Sequence, residues 1–253
     1  MSPAGRCNCR SAGLRYLADH LDDVVALATK KRWSTVQILE HIVDLESDDR
    51  AKKSLDRRFA RSHVGRFKPI ADYDWSWPEQ IDRPAIEAAL RLDFLDGARN
   101  VILVAPNGLG KTMIAKNVAH QAIVAGHSVL FVTAAQMLLD LSAQDSARAL
   151  DRRLKHYARP RLLCIDEIGY LSYDNRNADL LYEVIARRYE QKSLVLTTNL
   201  AFADWPTIFP NASSATALID RVIHHADVTA IEGKSFRKRE AEAARSRRAR
   251  PKS

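Results

Sequence analysis

At 253 residues with 46% apolar side chains, the chain is long enough for one core domain with appendages or for two small domains. No run approaches the roughly 18 apolar residues of a membrane span, residues 1–13 lack the apolar core of a signal peptide, and three cysteines make no disulfide framework. Membrane and secreted classes are thereby excluded, and a cytoplasmic protein is expected. The net charge of +8 is concentrated near one end, where residues 234–253 hold nine Lys or Arg against two Glu. Such an end either meets a polyanion or is simply solvated.

The chain opens with helical patterns. Leu14, Leu17, Leu21, Val24 and Ala28 form one apolar stripe, and Val36, Leu39, Ile42 and Leu45 begin a second. Ser34 opens that second helix as a capping box with Gln37, and Trp33 and Ile38 stand at hydrophobic-staple positions. A third helix is predicted at 49–63. Its apolar edge is only Ala51, Leu55 and Phe59, and its remaining surface carries Lys52, Lys53, Arg57, Arg58 and Arg61. An exposed helix on a small bundle would look the same, but so narrow an apolar edge favours a DNA-facing helix, continued by Arg66 and Lys68. Cys7 and Cys9 have no third and fourth ligand nearby and read as part of a disordered terminus. Residues 1–65 are therefore a helical module for DNA or a partner. Residues 66–84, with Pro69, Pro78, Pro84, Trp75 and Trp77 and little period, read as a linking strap.

From residue 85 to 233 strands and helices alternate, with strands predicted at 101–105, 128–133, 161–166, 193–198 and 227–231. The pattern predicts an α/β core, a parallel sheet sandwiched by helices, with its ligand at the strands' carboxyl ends. Residues 234–253 remain as a basic tail. Cys164 falls in the apolar run 162–165 and reads as a small buried hydrophobe.

The core holds two chemical motifs. Residues 105–112 read APNGLGKT after the apolar run 100–104 and before a helical pattern that stops at Gly126. This strand–loop–helix setting is what a phosphate-binding loop requires. Backbone N–H groups of Asn107, Gly108, Leu109, Gly110 and Lys111 would wrap the phosphates of ATP, aided by the helix N-terminus. Lys111 would reach the β- and γ-phosphates, and the Thr112 hydroxyl would ligate Mg²⁺. The first position is Ala105 rather than glycine; at a strand end, with negative φ, a Cβ is tolerable. Farther on, an apolar strand ends in Asp166 and Glu167. Asp166 would hold Mg²⁺, mostly through water, and Glu167 would orient and deprotonate the attacking water. Asn199 closes the strand 194–198. It could bond the lytic water or the γ-phosphate, and from the residues alone it fits a turn or helix cap equally well. His224 and His225, read as adjacent helix positions, diverge and are assigned a structural role.

The segments LDFLDGARNVILVAPNGLGKT, SVLFVTAAQMLLDL, LLCIDEIGYL, ARRYEQKSLVLTTNLAFADW, LIDRVIHHA and GKSFR carry a resemblance to the IstB-like ATP-binding proteins. These are the helper ATPases of insertion-sequence transposition, AAA+ proteins related to the DnaC helicase loaders. The resemblance spans 57–237, and IDEIGYL and DRVIHHA make it more specific than the phosphate loop. Departures are Ala105 for glycine and Asn107-Gly108 where Pro-Gly or Pro-Thr is common. The resemblance implies a sensor role for Asn199, an arginine finger entering a neighbouring subunit's site for Arg221, and a second phosphate sensor for Arg237. It also implies a homo-oligomer on duplex DNA that presents the DNA to a transposase, ATP favouring assembly and hydrolysis dismantling it. Some 20 residues follow the last predicted strand, too few for the helical lid usual in AAA+ proteins, so competence only in an assembly is expected. A DnaC-like helicase loader on single-stranded DNA would share the enzyme chemistry, and a nucleotide-dependent DNA clamp would not need Glu167.

Overall fold

The computed structural model describes residue 11 and residues 13–239, except 171 and 211. Cys7, Cys9 and the basic stretch 240–253 lie outside the described residues. The chain divides between Arg57 and Arg58 into two compact units.

In the first unit, helix α1 (Arg15–Lys31) buries Leu17, Ala18, Val24 and Ala28 and ends on Arg32 in the left-handed conformation. Helix α2 (Thr35–Ser62) begins at the expected capping box: the Ser34 N–H donates to Gln37 Oε1 at 2.8 Å and the Gln37 N–H to Ser34 Oγ at 3.3 Å. The Leu17 N–H donates to the buried Glu46 carboxylate at 2.8 Å, tying the two helices together. The two helices expected over 34–63 are one, 28 residues long. The polar run Glu46-Ser-Asp-Asp49 interrupts the apolar stripe, but with no Gly or Pro it leaves the backbone helical.

The last turn of α2, from Arg58 on, belongs to the second unit, a six-stranded sheet flanked by helices. In chain order its elements are β1 (Gln80–Ile81), α3 (Arg83–Arg91), β2 (Asn100–Val104), α4 (Lys111–Val124), β3 (Val129–Thr133), α5 (Ala134–Ser142), α6 (Ala147–Ala158), β4 (Leu162–Ile168), α7 (Asn175–Ala186), β5 (Ser193–Thr198), α8 (Ala212–Ile223) and β6 (Ala226–Glu232). The strand order is β1-β6-β2-β5-β4-β3. Five strands are parallel, as expected, but the edge strand β1 is antiparallel to β6 and comes from the proline-rich strap.

Local chemistry sets the helix starts. Asp82, Ser146 and Asp174 accept the first-turn N–H groups of α3, α6 and α7, and Thr133 with Gln136 boxes the start of α5. Strands β2, β4 and β5 are buried on both faces, which explains their continuous apolar runs. The wholly buried Arg188 donates to the carbonyls of Tyr157, Ala158, Pro160, Arg161 and Ser193, fastening the end of α6 to the starts of β4 and β5. Among the described residues no helix is long and apolar enough to cross a membrane.

Candidate nucleotide site

Strand order places the two motifs. The phosphate loop follows β2, the acidic pair ends β4, and β5 runs between those strands. All three deliver their carboxyl ends to one edge, where α/β sheets hold ligands.

The loop's geometry follows from its glycines. Gly108 and Gly110 both have φ +87, closed to most side chains. A Cβ on Gly108 would collide with Ser235, and one on Gly110 would lie 2.5 Å from the Tyr73 ring. Ala105 is buried and has no positive φ, so its Cβ carries no backbone penalty. Gly110 caps α4, whose N-terminus opens toward the loop. Lys111 is buried and donates to the Ala105 and Pro106 carbonyls at 2.6 and 3.0 Å. Burial pulls its ammonium below the usual lysine range; Asp166 and Glu167 oppose that shift and Arg237 adds to it.

The acidic end of β4 is irregular. Ile165 pairs with Leu196 and Ile168 with Thr198, so Asp166 and Glu167 together oppose the single residue Thr197. This is a β-bulge, a device that re-aims side chains. Glu167 adopts φ +64, a conformation costing a non-glycine residue on the order of 1 kcal/mol. Thr197, itself buried, holds the bulge: its hydroxyl accepts the Glu167 N–H at 2.9 Å and donates to the Asp166 carboxylate. Asp166 also accepts from the Thr112 hydroxyl at 3.1 Å. The buried Asp166 and exposed Glu167 consequently face different cavities. Glu167 lines one of about 240 Å³ with residues 107–113, and Asp166 lines its neighbour, with Thr112 common to both.

The first cavity is walled from both ends of the second unit. From the strap, the Tyr73 hydroxyl donates to the Leu109 carbonyl at 2.9 Å, and burial pushes that hydroxyl's pKa up to about 12. From beyond β6, the Phe236 N–H donates to the Gly108 carbonyl at 3.0 Å, and Arg237 lines the same cavity. The two walls join each other: Trp77 Nε1 donates to the Lys234 carbonyl at 2.7 Å, and Arg239 lies 3.3 Å from Asp74 and over the Trp77 ring. Sequence reading missed Thr197, Tyr73 and Phe236. The strap's aromatic content was a usable signal for Tyr73; nothing local signalled the other two.

Other expected residues lie elsewhere. Asn199 is half-buried, one residue beyond β5. Arg221, on α8, donates to the Ala217 carbonyl at 3.2 Å, stacks over Tyr182 and lines an outer groove with Tyr189, Asp220 and His224. None of those groove residues borders the phosphate-loop cavity. Lys52, Lys53, Arg57 and Arg61 are exposed on α2, whereas Arg58 is half-buried with its Nε donating to the Ile123 carbonyl at 3.1 Å, at the end of α4. His224 and His225 are not on the helix at all, because α8 ends at Ile223 and they form the turn into β6.

With Thr112 and Asp166, the oxygen donors present suit a hard cation such as Mg²⁺, and the glycine cradle suits phosphate. Comparisons with known proteins bear on the nucleotide part of this site. The ATP-binding protein of insertion sequence IS232 from Bacillus thuringiensis subsp. berliner is 34% identical over 224 residues, covering 88% of this chain and 90% of that one. The corresponding protein of insertion sequence IS21 from Pseudomonas aeruginosa is 32% identical over 227 residues, covering 90% and 86%. The crystal structure of the DnaC helicase loader shares the fold, with a TM-score of 0.50 at 16% identity over 70% of this chain and 99% of that one. The family of IstB-like ATP binding proteins matches residues 8–244, and the chain belongs to that family.

Proposed function

We propose that the chain is an ATP-dependent transposition helper that assembles with further copies on duplex DNA, hydrolyses ATP and presents that DNA to a transposase. The observation that carries the catalytic part is the bulge at Asp166 and Glu167 with Thr197 filling it. A strained, hydrogen-bonded acidic pair beside a phosphate cradle is built for more than holding a nucleotide. The insertion-sequence context of the relatives supports the transposition part.

In this reading Gly108 and Gly110 let backbone N–H groups reach the phosphates, and the Lys111 ammonium turns from its loop carbonyls to the β- and γ-oxygens. Thr112 and Asp166 would hold Mg²⁺, which when bound supplies charge neutralisation on the phosphate oxygens. Glu167 accepts the proton of the attacking water, and Asn199 orients that water or the γ-phosphate. Arg237 contacts phosphate from the same subunit, because it lines the same cavity. Arg221 faces an outer groove of its own subunit. The family resemblance implies that it serves as a finger in a neighbour's site, and this outward position is compatible with that role. The exposed Lys52, Lys53, Arg57 and Arg61 on α2, with Arg58 beside them, and the tail meet the DNA backbone, and residues 1–65 act as the DNA- or partner-binding module.

The test is ATP turnover with and without duplex DNA, with mass followed by light scattering. Turnover that rises with duplex DNA, together with a mass of several chains, supports the reading. A monomer that stays inactive with ATP, Mg²⁺ and DNA overturns it. Stimulation by single-stranded DNA alone would favour a helicase loader; the DnaC likeness, at 16% identity, carries only the fold.

A further inference from the structure

The turn after α8 brings three metal-ligating side chains together outside the nucleotide site. His224 and His225 lie with ring centroids 4.0 Å apart. Opposite them is Glu190, in the turn between α7 and β5, its backbone held at φ +56. Its Oε1 is 3.4 Å from His225 Nε2 and 3.9 Å from His224 Nδ1. One ligand atom from each of the three residues lies within 4.8 Å of the others.

We propose that Glu190, His224 and His225 form a binding site for a divalent transition-metal ion of the zinc class. Two imidazoles and one carboxylate are a donor set suited to zinc and poorly suited to Mg²⁺ or Ca²⁺, which take oxygen ligands. With zinc–ligand bonds of about 2.0–2.1 Å, tetrahedral ligand atoms stand about 3.3 Å apart. One separation already matches. The others require rotation of exposed side chains, with His224 leaving its stacking contact and hydrogen bond with Tyr189. Glu190 and the neighbouring Asp220 bring negative charge to a turn that Arg188, Lys192 and Arg221 also border. The Tyr189 hydroxyl, 2.6 Å from His224 Nδ1, is the group that yields this nitrogen to the ion. Without metal, the same atoms would form only a hydrogen-bonded surface cluster.

The ion would fasten the turn after α7 to the end of the helix that carries Arg221. That consequence rests on the finger role proposed above; the site itself does not. Zinc is therefore titrated by calorimetry into full-length, nucleotide-free protein carrying Cys7→Ser and Cys9→Ser, which removes competing thiolates. Cobalt is titrated in parallel and followed by its visible absorption. The expected result is one ion per chain with micromolar or tighter affinity, weakened at least about tenfold in Glu190→Gln and in His225→Ala. Far-UV circular dichroism and ATP binding should match the parent, showing that both variants are folded. Absence of saturable zinc binding, or binding that neither substitution weakens, overturns the proposal. Because no ATP is present, either result is independent of the ATPase reading.

Discussion

The Thr197 hydroxyl accepts the Glu167 N–H at 2.9 Å from directly opposite the two-residue bulge in β4. The same oxygen donates to Asp166, so one buried side chain fixes the backbone of one carboxylate and the rotamer of the other. Thr197 is thus a positioning residue for both halves of the acidic motif.

Thr197→Val keeps the shape but removes both hydrogen bonds. Turnover should fall about 10–100-fold, as for other groups that orient metal-site ligands, with a raised Mg²⁺ requirement. The half-buried Glu167 N–H left without its partner should also cost about 1–3 kcal/mol of stability in chemical denaturation. Thr197→Ser, which retains the hydroxyl, should recover both the rate and the Mg²⁺ dependence. A serine variant as impaired as the valine one would mean that packing, not the hydrogen bonds, is what matters.

Arg221→Ala should bind ATP nearly normally yet hydrolyse it poorly, with a loss of up to about 10³-fold or more. Lys111→Ala should lose nucleotide affinity, since a cation of the cradle is gone. Mixing the two inactive variants should restore partial turnover, because shared sites would join an intact Lys111 to an intact Arg221 from a second chain. Proven co-assembly without rescue would place the finger role elsewhere.

Removing residues 240–253 spares Arg239, which contacts Asp74 and Trp77 beside the nucleotide cavity. The truncated protein should keep its fold and ATP binding but hold duplex DNA less tightly. Every phosphate that the tail no longer neutralises should reduce the log–log salt slope by about 0.9. An unchanged slope would assign DNA binding to the exposed basic residues of α2 alone.

The parts of the site that could be read in the sequence are those encoded locally. An apolar run, a glycine loop and a helical pattern, all between residues 100 and 126, specify the phosphate cradle, and an apolar strand specifies the position of Asp166. The bulge could not be read, because it is a property of pairing between β4 and β5 rather than of either strand. The cavity walls were hidden for a related reason: Trp77 and Lys234 meet across 157 residues of chain. Helix α2 was read as two because the polar run at 46–49 breaks the stripe without breaking the backbone. The histidine pair was placed on the helix for the opposite reason, since helical spacing was extended past Ile223, where the helix ends.

If ATP binding captures DNA and hydrolysis at Glu167 releases it, as the family resemblance implies, blocking hydrolysis should trap the complex. Glu167→Gln leaves Thr112 and Asp166 in place, is nearly isosteric and removes the base, so the loss should fall on turnover rather than nucleotide affinity. The decisive measurement is dissociation from labelled duplex DNA after adding excess competitor, with ATP and Mg²⁺ present throughout. The parent should release DNA while Glu167→Gln stays on it as a long-lived ATP-bound oligomer. Equal release rates, with turnover abolished in the variant, would contradict that mechanism.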